Sequence, residues 1–300
     1  AYIKYNSSGN YVSHSPIPPS GPTYPLDGAG SLEFDSSSAV YVTGGYRATP
    51  AIYNFAASPT YTGYSLPNNP AAGGSGYFIK WDSSGNYVFA TAWFNSGGGG
   101  GINNVKVDSS GNIYLMGFTY NTVTIYNLTA NPCTTSAGIS PTQANSSPLI
   151  IKYNSSGIYQ ACLYVTQSVG GQQFAGMGFD TSGNIYISGN YQGASTIQNF
   201  SSTLGGSSTS IAYPTSTANQ SAQLLKYNSS GVYQSGTMFN YTTSTYNSYL
   251  SQIAVSGTTV YAVGYYTGPS LPLYKFTNSP NTTSSVRLFH HLVQRSRCSY

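Results

Sequence analysis

Lys4-Tyr5-Asn6-Ser7-Ser8-Gly9 returns as Lys80-Trp81-Asp82-Ser83-Ser84-Gly85, as Lys152-Tyr153-Asn154-Ser155-Ser156-Gly157, and as Lys226-Tyr227-Asn228-Ser229-Ser230-Gly231. A stretch that recurs every 74 residues or so is the mark of a repeat architecture. A second landmark follows each copy in the same order: Asp35 to Tyr41, Asp108 to Tyr114, Asp180 to Tyr186, and a degenerate Val255-Ser256-Gly257-Thr258-Thr259-Val260-Tyr261. Each of these tyrosines is followed by a glycine, at Gly44, Gly117, Gly189 and Gly264. A short apolar stretch closes the unit: Ile52 to Phe55, Ile125 to Leu128, Ile197 to Phe200, and Leu273 to Phe276.

Within a unit, apolar and small polar residues alternate, as in Tyr87-Val88-Phe89-Ala90-Thr91-Ala92-Trp93, which is the period of a strand. Asn or Asp before Ser-Ser-Gly suits a tight hairpin, because the Asx side chain bonds the backbone ahead of it and Gly closes the loop with a left-handed conformation. The turn residues are then Gly9, Gly85, Gly157, Gly231, Asp82, Asp108 and Asp180. About four strands of a unit make one small antiparallel sheet. Such a sheet buries its faces only by stacking, and radial stacking leaves short protected edges. The expected fold is all-β: a β-propeller of four tandem repeats, each a four-stranded antiparallel blade plus a long Ser/Thr/Pro-rich loop. One domain spans 1–300, with repeats at about 1–76, 77–148, 149–222 and 223–300. The tracts at 56–76, 129–148, 201–222 and 277–297 read as loops by composition and should emerge on one side of the disk. The strand from Tyr2 to Tyr5 is expected to close the ring beside the last blade.

In the best copies, 80–128 and 152–200, the order Lys-Tyr-Asn-Ser-Ser-Gly-x-Tyr and then Asp-Ser-Ser-Gly-Asn-Ile-Tyr-x-x-Gly resembles the SBBP-type β-propeller repeat family. Spacing here is longer, Ser38-Ala39 stands where the motif has Gly-Asn, and unit four replaces the motif with Ser256-Gly257-Thr258. The resemblance implies a propeller in a secreted or cell-surface microbial protein. It implies no activity, because that family has no single one.

Charged residues make up 5% of the chain and Tyr fills 30 positions. The net charge of +4 owes three of its positive charges to Arg287, Arg295 and Arg297, so no basic stripe crosses the repeats and nucleic acid is not an expected partner. No apolar run reaches the length that spans a bilayer, which excludes helical membrane insertion. A chain starting at Ala1 inside a strand fits a processed secreted protein or an excised fragment. Three cysteines are too few for a disulfide framework: Cys133 and Cys298 fall in loop tracts, while alternation around Cys162 predicts a buried thiol.

Chemistry needs unlike groups that converge, and the carboxylates fall on repeat-equivalent turns instead. Asp27 and Glu33, with His14 near them in sequence, are read as parts of a solvated loop. His290-His291 lacks companions at ligand spacing, and Gly97 to Gly101 lacks the Lys-Ser/Thr of a phosphate loop, so no metal or cofactor is expected. Sequons stand at Asn6, Asn127, Asn145, Asn154, Asn199, Asn219, Asn228, Asn240 and Asn281 and are candidate N-glycosylation sites. The composition therefore points to a non-enzymatic extracellular structural or adhesive protein that self-assembles into a fibre or surface layer as a homo-oligomer or homopolymer. Two alternatives are a carbohydrate-binding propeller, with Trp81 and Trp93 or loop tyrosines such as Tyr61, Tyr64 and Tyr213 stacking on sugars, and a polysaccharide hydrolase or lyase.

Overall fold

The computed structural model describes residues 1–16, 28–46, 49–66, 75–95, 100–119, 123–128, 135–139, 147–165, 173–193, 196–202, 211–212, 216–239 and 247–267. Among them there are strands and turns and no helix. The chain opens with the hairpin β1 (Tyr2–Tyr5) and β2 (Tyr11–Ser15). Three hairpins follow: β3 (Gly28–Phe34) with β4 (Val40–Tyr46), β5 (Ala51–Tyr53) with β6 (Tyr61–Ser65), and β7 (Ser75–Trp81) with β8 (Tyr87–Asn95). The pattern repeats in β9 (Gly100–Val107) and β10 (Ile113–Thr119), β11 (Val123–Tyr126) and β12 (Thr135–Ile139), and β13 (Ser147–Tyr153) and β14 (Tyr159–Tyr164). It repeats again in β15 (Gln173–Phe179) and β16 (Ile185–Gly193), β17 (Thr196–Ile197) and β18 (Ile211–Ala212), and β19 (Ser216–Tyr227) and β20 (Tyr233–Phe239). The last described pair is β21 (Ser248–Ser256) and β22 (Thr259–Tyr266).

These strands form three antiparallel sheets of the same build, β3-β4-β7-β8, β9-β10-β13-β14 and β15-β16-β19-β20, the first extended by β11-β12. Each takes its first hairpin from one sequence unit and its second from the next. The sheets therefore straddle the boundaries of the repeats, whereas the sequence reading placed the four strands of one unit together. Register explains the offset. The tyrosine of the second motif lies opposite the lysine of the following first motif, Tyr41 with Lys80, Tyr114 with Lys152 and Tyr186 with Lys226. That register sets Leu115 beside Ile151 and Ile187 beside Leu225 on common faces, and a slip of one residue would turn them outward.

The composition-based loops are a further correction. The strands β6, β12 and β18 and the first part of β19 lie inside the tracts at 56–76, 129–148 and 201–222. Three units thus carry an extra hairpin, and in the first its return strand, Tyr61-Thr62-Gly63-Tyr64-Ser65, is rich in hydroxyls. Thr62 shows how: its Oγ1 donates to the Ile52 carbonyl at 2.7 Å, so a polar side chain serves strand pairing. The tract at 277–297 lies outside the described residues.

Core residues fill the spaces between sheets. Phe78, Phe89, Ile113, Leu115, Leu149 and Ile151 are buried where the first sheet meets the second. Tyr114, Met116, Ile150, Leu163, Ile187 and Leu225 are buried where the second meets the third. A third cluster, with Val42, Ile79 and Trp81, covers the opposite face of the first sheet, and Tyr2 packs on it. Alternate residues of β10 thus enter two different cores, which is why the strand is apolar on both sides.

The recurring glycine after the tyrosine is explained by a bulge. Register shifts opposite Gly117, Gly189 and Gly264 push a carbonyl, of Gly101, Gln173 and Tyr249 respectively, into the space a Cβ would need.

At the ends of the stack the pattern stops short. Among the described residues, β1 pairs only with β2, and β22 only with β21. The N-terminal strand therefore does not complete the last sheet within the chain. Its hairpin sits on the first sheet, where the Tyr2 hydroxyl donates to the Thr43 carbonyl at 3.2 Å and shares a 2.6 Å hydrogen bond with the Tyr77 hydroxyl.

Candidate functional site

The repeated turns consume their own polar groups. Asp108 Oδ1 accepts the backbone N–H groups of Ser110 and Asn112, both at 2.9 Å, and Asp180 Oδ1 does the same for Ser182 and Asn184 at 2.9 Å. Asp82 Oδ1 accepts from the Asn86 amide at 2.8 Å. Asn6, Asn154 and Asn228 build the same turn with amide oxygens. Gly9, Gly85, Gly157 and Gly231 close these hairpins at φ of 79°, 85°, 78° and 81°. Burial raises the carboxyl of Asp180, but hydrogen bonds from Asn184, Tyr186 and Ser182 outweigh it and hold the group below the ordinary carboxylate range. A carboxylate held ionised by its own turn is a poor proton donor.

A strap joins successive hairpins, and this element was not foreseen as one. The amide of Phe55 donates to the Gly85 carbonyl at 2.7 Å, that of Leu128 to Gly157, and that of Phe200 to Gly231 at 2.9 Å. Beside each contact, Asn54, Asn127 and Asn199 accept from the backbone N–H of Tyr87, Tyr159 and Tyr233 at 2.9, 2.9 and 2.8 Å. The recurring Asn in Ile-Tyr-Asn-Phe, Ile-Tyr-Asn-Leu and Ile-Gln-Asn-Phe was the available signal. Two of these residues, Asn127 and Asn199, are sequons whose amide oxygens are committed to the strap. The sequons Asn6, Asn154 and Asn228 lie at hairpin tips, Asn219 lies on β19, and Asn145, Asn240 and Asn281 lie outside the described residues.

Across each sheet a lysine lies over a tyrosine ring: Lys80 over Tyr41 at 4.8 Å, Lys152 over Tyr114 at 5.4 Å and Lys226 over Tyr186 at 5.4 Å. The same tyrosines donate to the turn carboxylates, at 2.8 Å to Asp35, 3.4 Å to Asp108 and 3.1 Å to Asp180. Burial, with the Asp35 hydrogen bond added, pushes the Tyr41 phenol far above its usual range. These Asp-Tyr-Lys sets repeat from sheet to sheet and are cross-strand fastenings.

The other sequence candidates do not converge. Glu33 lies on β3, not in a loop, and pairs with Lys106 of the neighbouring sheet. His14 Nδ1 meets the Tyr11 hydroxyl at 2.6 Å, and Asp27 lies outside the described residues. Cys162 is a buried free thiol, raised by burial, and Cys133 and Cys298 lie outside the described residues. Trp81 and Trp93 are buried, so neither offers a ring face to a sugar. Tyr61 is exposed, Tyr64 packs on Tyr87, and Tyr213 lies outside the described residues, as do His290 and His291. Among the described residues no three His, Cys, Asp or Glu side chains cluster as a metal site, and no helix is long and apolar enough to cross a membrane.

What the structure does assemble is a groove of about 800 Å³ between the β1-β2 hairpin and the first sheet. Ile3, Tyr5 and Val12 line one wall, and Leu32, Phe34 and Val40 the other. At the opposite end of the stack, Tyr261, Val263 and Tyr265 of β22 stand exposed. Neither surface was foreseen from the sequence.

No protein-family model and no curated protein matches this chain.

Proposed function

We propose that this chain is a non-enzymatic structural or adhesive protein of the cell exterior that assembles with copies of itself. In this reading the sheets are blades of a propeller-type stack, and the two terminal hairpins are halves of a fourth blade. The observation that carries it is the pair of unfinished ends: Ile3, Tyr5, Leu32 and Phe34 exposed at one, Tyr261, Val263 and Tyr265 at the other. Contiguous exposed apolar surface of this kind marks an interaction site. A chain with 5% charged residues adds little repulsion between copies.

The commitment of Asp35, Asp82, Asp108 and Asp180 to their own turns supports a role without catalysis. The likeness of the two motifs to secreted propeller repeats supports an extracellular setting, where sugar on the hairpin-tip sequons Asn6, Asn154 and Asn228 would add solubility. Electron microscopy and sedimentation of the purified chain over a range of concentrations test the proposal. Filaments, sheets or mass rising with concentration are expected, and monomers throughout would overturn it.

A further inference from the structure

The two ends of the stack are complementary parts of one sheet, and the repeat gives their register. In every complete sheet the tyrosine strand pairs with the lysine strand of the next motif, as Tyr41 with Lys80, Tyr114 with Lys152 and Tyr186 with Lys226. The fourth tyrosine, Tyr261 on β22, and the fourth lysine, Lys4 on β1, lie on strands that have no such partner among the described residues. Counting outward from the three observed pairs sets Ala262 opposite Ile3 and Val260 opposite Tyr5.

The groove is the matching socket. On the second sheet, Val105 and Ile113 hold the places that Leu32 and Val40 hold on the first, and both are fully buried in the core that contains Tyr41. On the first sheet, Leu32 is 44% and Phe34 57% exposed, because no tyrosine strand precedes them. The missing strand has the chemistry of β22. That strand reads Thr259-Val260-Tyr261-Ala262-Val263-Gly264-Tyr265-Tyr266, with no charge and no proline to guard its open edge.

We propose that β22 of a second copy enters this groove, sets Tyr261 and Val263 against Leu32, Phe34 and Val40, and extends β1 as an antiparallel neighbour with Tyr261 opposite Lys4. This rests on the self-assembly reading above and gives it a geometry. A second copy is the occupant because each hairpin is already seated within its own chain. Tyr2 holds β1-β2 on the first sheet, and the bridge between His14 and Ala56 ties the hairpin to the segment after β5. At the other end, Ile253 and Val255 pack β21-β22 against Gly176 and Gly178 of the third sheet. Contact between copies pairs both edges and unseats neither hairpin. The interface joins one end to the opposite end, so it propagates as a filament unless its rotation closes a ring.

Paired cysteines test the register in chains carrying Cys133→Ser and Cys298→Ser. Ile3→Cys and Ala262→Cys are both at exposed positions, so each single variant should keep the native circular dichroism. Because neighbouring pairs alternate in geometry, Lys4→Cys with Tyr261→Cys is the companion set. Mixing the two single variants under mild oxidation should give a disulfide-linked dimer absent from either alone, and the double variant should give a ladder. A double variant crosslinked only at monomer mass would overturn the second copy as occupant, and no crosslink in either set would overturn the register. Sedimentation of the parent with only Cys133→Ser and Cys298→Ser, which keeps the buried Cys162, separates the two claims. Assembly without crosslinking sinks this seam and leaves self-assembly standing, whereas a parent that stays monomeric sinks both.

Discussion

Tyr114 and Tyr261 hold the same place in the repeat, yet the first is 1% exposed and the second 63%. The difference lies in their surroundings. Tyr114 faces Phe179 of the following sheet at 4.9 Å and Phe200 of the following strap at 6.4 Å between ring centroids, and its own sheet places Lys152 over the ring. Tyr261 has β21 on one side and, among the described residues, no strand on the other. A repeat unit does not carry its own core; it supplies half of one and depends on its neighbour for the rest.

The largest test of that contrast is truncation at the two positions. Tyr114→Ala should cost about 3–5 kcal/mol, as for other large buried aromatics. Tyr261→Ala should stay within about 0.5 kcal/mol in the dissociated chain, like an ordinary surface change. Denaturant unfolding at low protein concentration, followed through the buried Trp81 and Trp93, measures both. Equal losses would mean that β22 is covered in the single chain and would remove the comparison.

A smaller version appears at the turns. Gly157 and Gly9 share nearly the same φ, 78° and 79°, but a Cβ at Gly157 would meet the Leu128 carbonyl oxygen at 2.5 Å and its Cβ at 2.7 Å, while nothing lies within 4 Å at Gly9. Valine at Gly9 should cost about 1–2 kcal/mol, for forcing a β-branched residue into the left-handed region. Gly157→Val should cost that and a steric share of about 1–3 kcal/mol more. If the two variants unfold at the same denaturant concentration, the strap does not press on the turn as described.

Many of the strands and the turns were legible because they depend on local chemistry: an Asx residue, a left-handed glycine, alternation of apolar side chains. Which strands share a sheet was not legible. Tyr114 could be placed on a strand from Asp108-Ser109-Ser110-Gly111-Asn112-Ile113, but its pairing with Lys152 rather than with a strand of its own unit is a long-range choice made by register. The hairpins inside the Ser/Thr-rich tracts were hidden for another reason. Residues such as Thr62 satisfy strand backbone with hydroxyls, so composition alone labels them loop. The groove was invisible because Leu32 and Phe34 differ from buried Val105 only in what lies in front of them.

Ser38 offers a gain instead of a loss. It is the non-glycine residue found at positive φ, 63°, among the described residues, in the one turn where the motif's glycine is replaced. Relieving a left-handed serine is worth about 1–2 kcal/mol, and the freer unfolded glycine returns about 0.5–1 kcal/mol of that. Ser38→Gly should therefore stabilise the first sheet by about 0.5 kcal/mol, read as a raised denaturation midpoint. A lowered midpoint would show that the serine hydroxyl serves the fold.

The smallest effect separates the turns of the first three units from that of the fourth, where Val255 stands in place of Asp. Asp35, Asp82 and Asp180 are all held below the ordinary carboxylate value of 3.8; burial pulls each upward and hydrogen bonds from the turn pull it further down. A depressed folded pKa gives stability that is complete above the unfolded value and is lost as pH falls through the folded one. Acidification below 3.8 should thus weaken the first sheet, which carries Asp35 and Asp82, and the third, which carries Asp180, while the β21-β22 turn has no carboxylate to lose. Asp180→Asn isolates the effect, because Asn already builds the same turn at Asn154 and Asn228. Its amide oxygen accepts the same backbone bonds at every pH, but its Nδ2 replaces the oxygen that accepts from Asn184 and Tyr186, so the variant should start less stable than the parent near neutral pH and lose less on acidification. Midpoints that fall equally for parent and variant would show that the turn carboxylate does not carry the acid response.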